Sequence, residues 1–306
     1  MEIIADSLDF QLNRETAVAI GKFDGVHVGH RRLLEEILEK KREGLEACVF
    51  TFDVSPAVVF GLGDGKVLTT REEKRELFEK LGVDILVEFP MNHETASIPA
   101  EDFARRYLSA ALCARFIAAG EDLSFGQYGK GDAQLLRRLS EELSFEVKTI
   151  SKVKIEDTEV SSTYIRSMLE QGEMERVELF LGEPFSVQGT VRHGNHIGHT
   201  MGFPTINLYP VEEKLLPPFG VYRSKVRIGE NMYQAISNIG KKPTIGGETK
   251  VGVETYLYDF DGDLYDRDAK VYLYHFMRPE KKFEGLYALK AQIARDVLDG
   301  RTQWNA

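Results

Sequence analysis

The chain has 306 residues, 42% hydrophobic and 29% charged, which supplies apolar material for two cores. Its formal net charge of −10 argues against a general binder of nucleic acid or anionic membrane, whose surfaces carry a basic excess. Two cysteines, Cys48 and Cys113, with no C-x-x-C pair argue against a disulfide framework or a zinc ribbon and fit a reducing cytoplasm. The first residues, MEIIADSLDF, have neither the basic start nor the apolar core of a signal peptide. No apolar run approaches the roughly 20 residues needed to span a bilayer, so a soluble, cytoplasmic protein is expected.

In chain order, short apolar strands alternate with amphipathic helices. Strands are predicted at Ala17–Ile20, Ala47–Phe52, Asp84–Val87, Arg115–Ala119 and Glu146–Ile150. Helices are predicted at His30–Lys41, Arg71–Leu81, Ala100–Leu112 and Asp132–Leu143. This alternation predicts a parallel α/β sheet with helices on both faces, whose ligands bind beyond the C-terminal strand ends. Two further helices, Ser162–Glu170 and Met174–Leu181, precede a change of texture at Gly182-Glu183-Pro184. Beyond it, strands are predicted at Phe185–Val191, Gly220–Ile228, Met232–Ile239, Lys250–Phe260 and Lys270–Met277, followed by a helix at Glu284–Leu298. Short strands at regular spacing predict a small antiparallel barrel, and the domain boundary is placed near residue 182.

The stretch "GKFDGVHVGH" begins at Gly21, after the first predicted strand and at the mouth of a helix. Backbone N–H groups at a helix start and two imidazoles, His27 and His30, suit a polyphosphate. Two surface histidines near a turn is the plainer reading; a zincin site is not indicated, because the spacing is not H-E-x-x-H. "VSSTYIR" offers Ser161, Ser162 and Thr163 as helix caps, and sets Arg166 in the first turn, where a cation is unfavourable without an anion nearby.

In the second half, "GTVRHGNHIGHTMGFPTIN" carries His193, His196 and His199 on a glycine-rich loop with no apparent fourth metal ligand, so a flexible flap is favoured over zinc. Thr205 and Asn207 stand at i, i+2, so in an extended segment both would face one side and offer hard oxygen atoms for Mg²⁺; taken alone, a turn leading into a strand is the plainer reading. Glu254 alternates onto one face with Tyr256, Tyr258 and Phe260 in "VGVETYLYDF". "DFDGDLYDRD" is a hairpin turn and not an EF-hand: its glycine is fourth, not sixth, and Lys270 stands where the bidentate Glu belongs.

Taken together, "GKFDGVHVGH", "TFDVSP", "GEDLSFGQYGKGD" and "SSTYIR" resemble the adenylyltransferase module of bacterial bifunctional riboflavin kinase/FAD synthetases. The series "GFPTIN", "LPPFGVY", "SNIGKKPTIGG", "VETYLYDFDGDLY" and "EGLYALKAQIARDV" resembles the riboflavin kinase module of the same family. The resemblance implies a Rossmann-like nucleotidyltransferase domain with a parallel sheet over 1–182. It implies a six-stranded antiparallel β-barrel riboflavin kinase domain with a C-terminal helix over 183–306. The implied activities are phosphorylation of riboflavin to FMN and adenylylation of FMN to FAD with release of pyrophosphate, using ATP and Mg²⁺. The implied partners are riboflavin, FMN and ATP, without nucleic acid or membrane; no oligomeric state is implied.

Residue by residue, the resemblance implies catalytic roles for Glu254 (the general base), His30 and Arg166. It puts Gly21, Phe23, Asp24, His27, His30, Ser161, Ser162 and Arg166 around the ATP of adenylyl transfer, and Asp122 and Phe125 near the flavin. In the kinase it assigns Gly198 and Gly202 to the flap over ATP, and Thr205 and Asn207 to Mg-ATP. The family reads Pro-His-Pro where this chain has Val54-Ser55-Pro56, and Asn or Asp before an aromatic where it has Asp122-Leu123. A kinase fused to a nucleotidyltransferase of other specificity and a non-catalytic flavin sensor are the competing readings. The first is disfavoured because one module makes the other's substrate. The second is disfavoured because a sensor needs no general base.

Overall fold

The computed structural model describes residues 1–194, 202–243 and 249–304. His196, His199 and Gly198 therefore lie outside the described residues. The chain divides into two compact units, Met1–Ser162 and Thr163–Ala306.

The first unit runs β1 (Glu2–Ala5), β2 (Thr16–Ile20), α1 (Val28–Glu39), β3 (Glu46–Phe52), α2 (Pro56–Val59), α3 (Arg71–Leu81) and β4 (Ile85–Phe89). It continues with α4 (Ala100–Phe103, prolonged as a π-helix over Ala104–Ala111), β5 (Ala114–Gly120), α5 (Ala133–Leu143) and β6 (Glu146–Ile150). A small hairpin, β7 (Lys154–Ile155) with β8 (Thr158–Glu159), closes it. The six-stranded sheet has the order β1-β4-β3-β2-β5-β6 and every pairing is parallel. Strands β2 and β4 are buried throughout, as expected of central strands covered on both faces, which is why they read as apolar runs, broken only by Thr16 and Glu88. Chain order reverses at β2, which pairs with β3 on one side and β5 on the other. The loop after β2 thus leaves the sheet at its topological switch point.

Two details differ from the sequence expectation. The sheet has a sixth strand, β1, paired with β4; it is a four-residue edge strand, half exposed, too short for a readable repeat. The helix expected over Ala100–Leu112 is α-helical for one turn and π-helical after it.

The second unit holds α6, whose first residue is the last of the preceding unit (Ser162–Gln171), α7 (Met174–Leu181), β9 (Phe185–Thr190), β10 (Thr205–Leu208) and β11 (Gly220–Ile228). Then come β12 (Asn231–Pro243), β13 (Thr249–Leu257), β14 (Asp268–Pro279) and α8 (Leu286–Trp304). The antiparallel order is β10-β13-β12-β11-β14-β9, so β9 and β10 are the outer strands. A bridge between Arg192 and Asn207, with the Arg192 N–H 2.8 Å from the Asn207 carbonyl, ties the chain after β9 to β10 and closes the sheet toward a barrel. Strand β10 is absent from the five strands expected from pattern alone; its four residues follow a proline and read as the exit of a turn. Buried hydroxyls of Ser224, Ser237 and Thr255 form a ladder across β11, β12 and β13, with O···O distances of 2.8 and 2.7 Å. Each satisfies its neighbour, so these polar atoms cost little inside the sheet.

Candidate active sites

The loop 21–27 after β2 is held under local strain. Phe23 and Val26 have φ of 50° and 42°, a left-handed conformation that bulky side chains adopt only when their surroundings impose it. The surroundings are visible. The Asp24 carboxylate accepts the N–H groups of Leu68 (2.8 Å) and Thr69 (3.4 Å), and the Asp24 carbonyl accepts the Ser162 hydroxyl at 2.8 Å. "GKFDGVHVGH" and "SSTYIR" are therefore physically joined across a separation of 138 residues. His27 is the N-cap of α1, its Nδ1 accepting the His30 N–H at 3.2 Å. That bond leaves the ring proton on Nε2 of His27. The two imidazoles stack, centroids 3.7 Å apart and planes 13° from parallel. Burial pushes the His27 pKa down to about 4, against the opposing pull of Asp24 and Asp122. Burial, then the neighbouring charges of His27 and Lys74, hold His30 well below the ordinary histidine value. Nδ1 of His30 is buried and has no hydrogen-bond partner. At neutral pH the pair is uncharged, a set of neutral donors at the mouth of a helix.

Two of the residues expected around the ligands, Phe23 and Phe125, are buried. Phe23 is fully buried, meets Phe78 edge-on at 5.5 Å and supports the His30 ring at 5.0 Å. Phe125 is 3% exposed and packs on Phe103 at 5.6 Å, as a core residue. Asp122, at the end of β5, is exposed, with its carboxylate 3.8 Å from Lys152 Nζ. Gly21 continues the β2 path, its N–H bonded to the Phe50 carbonyl at 3.1 Å. Ser161 precedes α6, and Arg166 stands in the early part of that helix. Lys74 was not singled out from the sequence: "REEKRELFEKL" reads as an ordinary solvated helix face.

In the second unit, a cavity of about 640 Å³ is lined by Thr205, Asn207, Glu254, Tyr256, Arg278 and Asp296, among others. Its geometry follows from strand register. Glu254 on β13 stands opposite Asn207 on β10 and Asn238 on β12, in one row across three strands. The Thr205 hydroxyl donates to Glu254 Oε1 at 2.9 Å. Gly194 abuts this row: a Cβ there would lie 2.5 Å from the Asn207 amide nitrogen, so only glycine lets the chain pass. Gly202, the other described flap glycine, is exposed with φ of 87°. The alternation expected to align Glu254 with Tyr258 and Phe260 stops early, since β13 ends at Leu257. Tyr258 is buried and donates its hydroxyl to the Val297 carbonyl of α8 at 2.7 Å.

The far wall is fixed by a charge pair. Arg278 of β14 grips Asp296 of α8 with two nitrogens, at 2.9 and 2.5 Å, and Gln292 adds a bond to the same carboxylate at 2.8 Å. Asp296 is only 6% exposed, so this fork anchors α8 over the cavity. Glu280 reaches the wall because Gly240 leaves room; a Cβ on Gly240 would overlap its carboxylate.

A parallel sheet with an anion-binding loop at its switch point, followed by a small antiparallel barrel with a carboxylate-lined cavity, defines a two-unit enzyme that handles phosphorylated substrates. The FAD synthetase family model matches residues 9–164 and the riboflavin kinase model matches residues 181–304. Curated relatives named bifunctional riboflavin kinase/FMN adenylyltransferase include one from Listeria monocytogenes, 35% identical over 93% of this chain and 91% of its own length. One from Escherichia coli is also 35% identical, over 93% of this chain and 91% of its own length. The chain belongs to the bifunctional riboflavin kinase/FMN adenylyltransferase family. A crystal structure named as a macrolide-efflux protein from Streptococcus pneumoniae shares the whole fold, with a TM-score of 0.86, 29% identity and 98% coverage of both chains. No helix among the described residues is long and apolar enough to cross a membrane.

Proposed function

We propose that this chain converts riboflavin to FMN in its second unit and FMN to FAD in its first. The reading rests most on the bond from Ser162 to Asp24, which joins the two anion-binding motifs beside a neutral imidazole pair, in a chain whose second unit opens a cavity onto Glu254. We set the functional boundary near residue 182, which the start of the riboflavin kinase match at residue 181 supports.

In adenylyl transfer, a phosphate oxygen of FMN attacks the α-phosphorus of ATP. The new O–P bond forms as the bond to the β-phosphate oxygen breaks, and pyrophosphate leaves. No covalent nucleophile is needed; the work is in-line positioning and stabilisation of developing charge. His27 presents Nε2–H and His30 lies stacked beside it, so both contact phosphoryl oxygens as neutral donors. Gly21 and Asp24 shape the loop, Ser161 and Ser162 face the departing phosphates, Arg166 supplies positive charge to them, and Asp122 approaches the flavin.

In the kinase, Glu254 takes the proton of the 5′-hydroxyl of riboflavin while that oxygen bonds to the γ-phosphorus and ADP departs. Thr205 donates to Glu254, which orients the carboxylate and leaves the hydroxyl's lone pairs for a cation. Together with the Asn207 amide oxygen this is a hard, two-oxygen donor set of the kind that shares Mg²⁺ with ATP phosphates. When bound, Mg²⁺ neutralises phosphate charge. Gly198 and Gly202 belong to the flap that covers ATP. A cytoplasmic location fits the two free cysteines.

Pure protein incubated with riboflavin, ATP and Mg²⁺ is expected to yield FMN and then FAD, followed by chromatography. Absence of both products overturns the reading, and FMN without FAD leaves only the kinase.

A further inference from the structure

Three of the four cations of helix α3, Arg71, Lys74 and Arg75, lie in its first half, and of these only Arg71 and Arg75 are ion-paired to Glu88. Glu88, at the end of β4 and 2% exposed, takes Arg71 Nε at 2.6 Å on one carboxylate oxygen and Arg75 Nε at 2.9 Å on the other. Both of its oxygens are thus engaged. Asp53 is committed to the backbone, accepting the N–H groups of Val54 (2.6 Å) and Met91 (2.8 Å). The side chain of Lys74 makes no hydrogen bond or ion pair with any described residue. Burial pulls its pKa down, against the attraction of Asp24 and Glu88. A lysine largely withdrawn from water with no carboxylate bonded to its ammonium carries a desolvation cost that a directly bound anion would recover.

The placement of Lys74 is firmly built. Asp24 holds the Leu68 and Thr69 N–H groups, so the entry to α3 is fastened to the phosphate loop itself. A reciprocal Thr70–Glu73 capping box then fixes the first turn. Phe78, one turn beyond Lys74 on the same face, meets Phe23 edge-on, and Phe23 supports the His30 ring. The face that carries Lys74 is therefore the face turned to the imidazole pair, and the charge on Lys74 is felt by His30.

We infer that Lys74 is a phosphoryl-binding residue of the adenylyltransferase site, its ammonium reserved for the oxygens of a phosphate ester held beside His30. This rests on the assignment of that site to adenylyl transfer. Both substrates carry the required chemistry, ATP in its polyphosphate and FMN in its monophosphate, and kinetics distinguishes them.

The test uses the full chain and two variants, Lys74→Met and Lys74→Arg, assayed separately for FMN adenylylation and riboflavin phosphorylation. Lys74→Met is expected to lower kcat/KM for adenylylation about 10- to 100-fold, the usual range for a lost hydrogen bond to a charged group. Lys74→Arg should recover most of that loss, and kinase activity should stay at the wild-type value in both. A rise in KM for ATP assigns Lys74 to the nucleotide; a rise in KM for FMN assigns it to the acceptor. Adenylylation by Lys74→Met within twofold of wild type overturns the inference. So does an equal loss in Lys74→Arg accompanied by a lowered melting temperature, which marks a structural role. If the wild-type chain forms no FAD from FMN, the assignment of the site itself fails, which is a separate outcome.

Discussion

At the scale of single residues, the proposed first site is marked by two histidines that burial keeps uncharged at neutral pH. A protonated imidazole would grip phosphate harder in the resting state, but a neutral donor can strengthen its bond as charge develops on the departing pyrophosphate. Burial of His27 makes that choice, and it has a measurable consequence for stability. The pKa of His27 falls from 6.5 to about 4 on folding. Between those values the unfolded chain binds a proton that the folded chain refuses, so stability is complete above about pH 6.5 and declines as pH falls toward 4. The loss is at most about 3 kcal/mol over that window. Asparagine keeps an oxygen to accept the His30 N–H and cap α1 but cannot titrate. His27→Asn is therefore expected to flatten the acid side of the stability profile of the first unit, measured by thermal melting from pH 7 to pH 4.5. An unchanged slope would assign the acid sensitivity to other groups.

At the scale of elements, helix α3 links the site to the sheet, and its cap is the point to probe. Thr70 is 5% exposed; its Oγ1 accepts the Glu73 N–H at 3.3 Å while Glu73 accepts the Thr70 N–H at 2.9 Å. Thr70→Ala removes one half of this exchange and is expected to cost about 1 kcal/mol. Chemical denaturation should show the first unit unfolding earlier, with FMN adenylylation weakened and riboflavin phosphorylation unchanged. Such elements differ in how plainly the sequence announces them. Central strands such as β2 and β4 are buried on both faces and read as apolar runs. Strand β1 is a short edge, and β10 is four residues after a proline, so neither shows a repeat long enough to read. The same division holds for the sites. His27, His30, Thr205, Asn207 and Glu254 sit in motifs whose residue types carry the chemistry. Phe23 and Phe125 sit in motifs too, but a motif does not say which way an aromatic ring turns, and both rings turn inward. Lys74 was illegible for the opposite reason: its meaning depends on Glu88 being used up by Arg71 and Arg75, and that accounting exists only after folding.

At the scale of the whole molecule, the chain carries two chemistries that share ATP and are linked by FMN. They ask different things of their residues. The kinase needs a group to accept a proton, a role we assign to Glu254 on the middle strand of a three-strand row. Adenylyl transfer needs no base, because its attacking phosphate is already ionised; it needs donors, the role we propose for the imidazole pair. Separate demands met by separate residues make the two activities independently removable. Glu254→Gln keeps the shape and the Thr205 partner but cannot take the proton, so it is expected to abolish FMN formation while FMN supplied from outside is still adenylylated. His30→Ala is expected to do the reverse. Neither variant alone should make FAD from riboflavin. An equimolar mixture of the two should, since FMN released by the His30→Ala chain is a soluble substrate for the Glu254→Gln chain. The measurement is the time course of FAD from riboflavin and ATP, with a lag while FMN accumulates. If the mixture makes no FAD although each variant retains its own half-reaction, FMN does not pass through solution between these sites and the two activities are coupled within one chain.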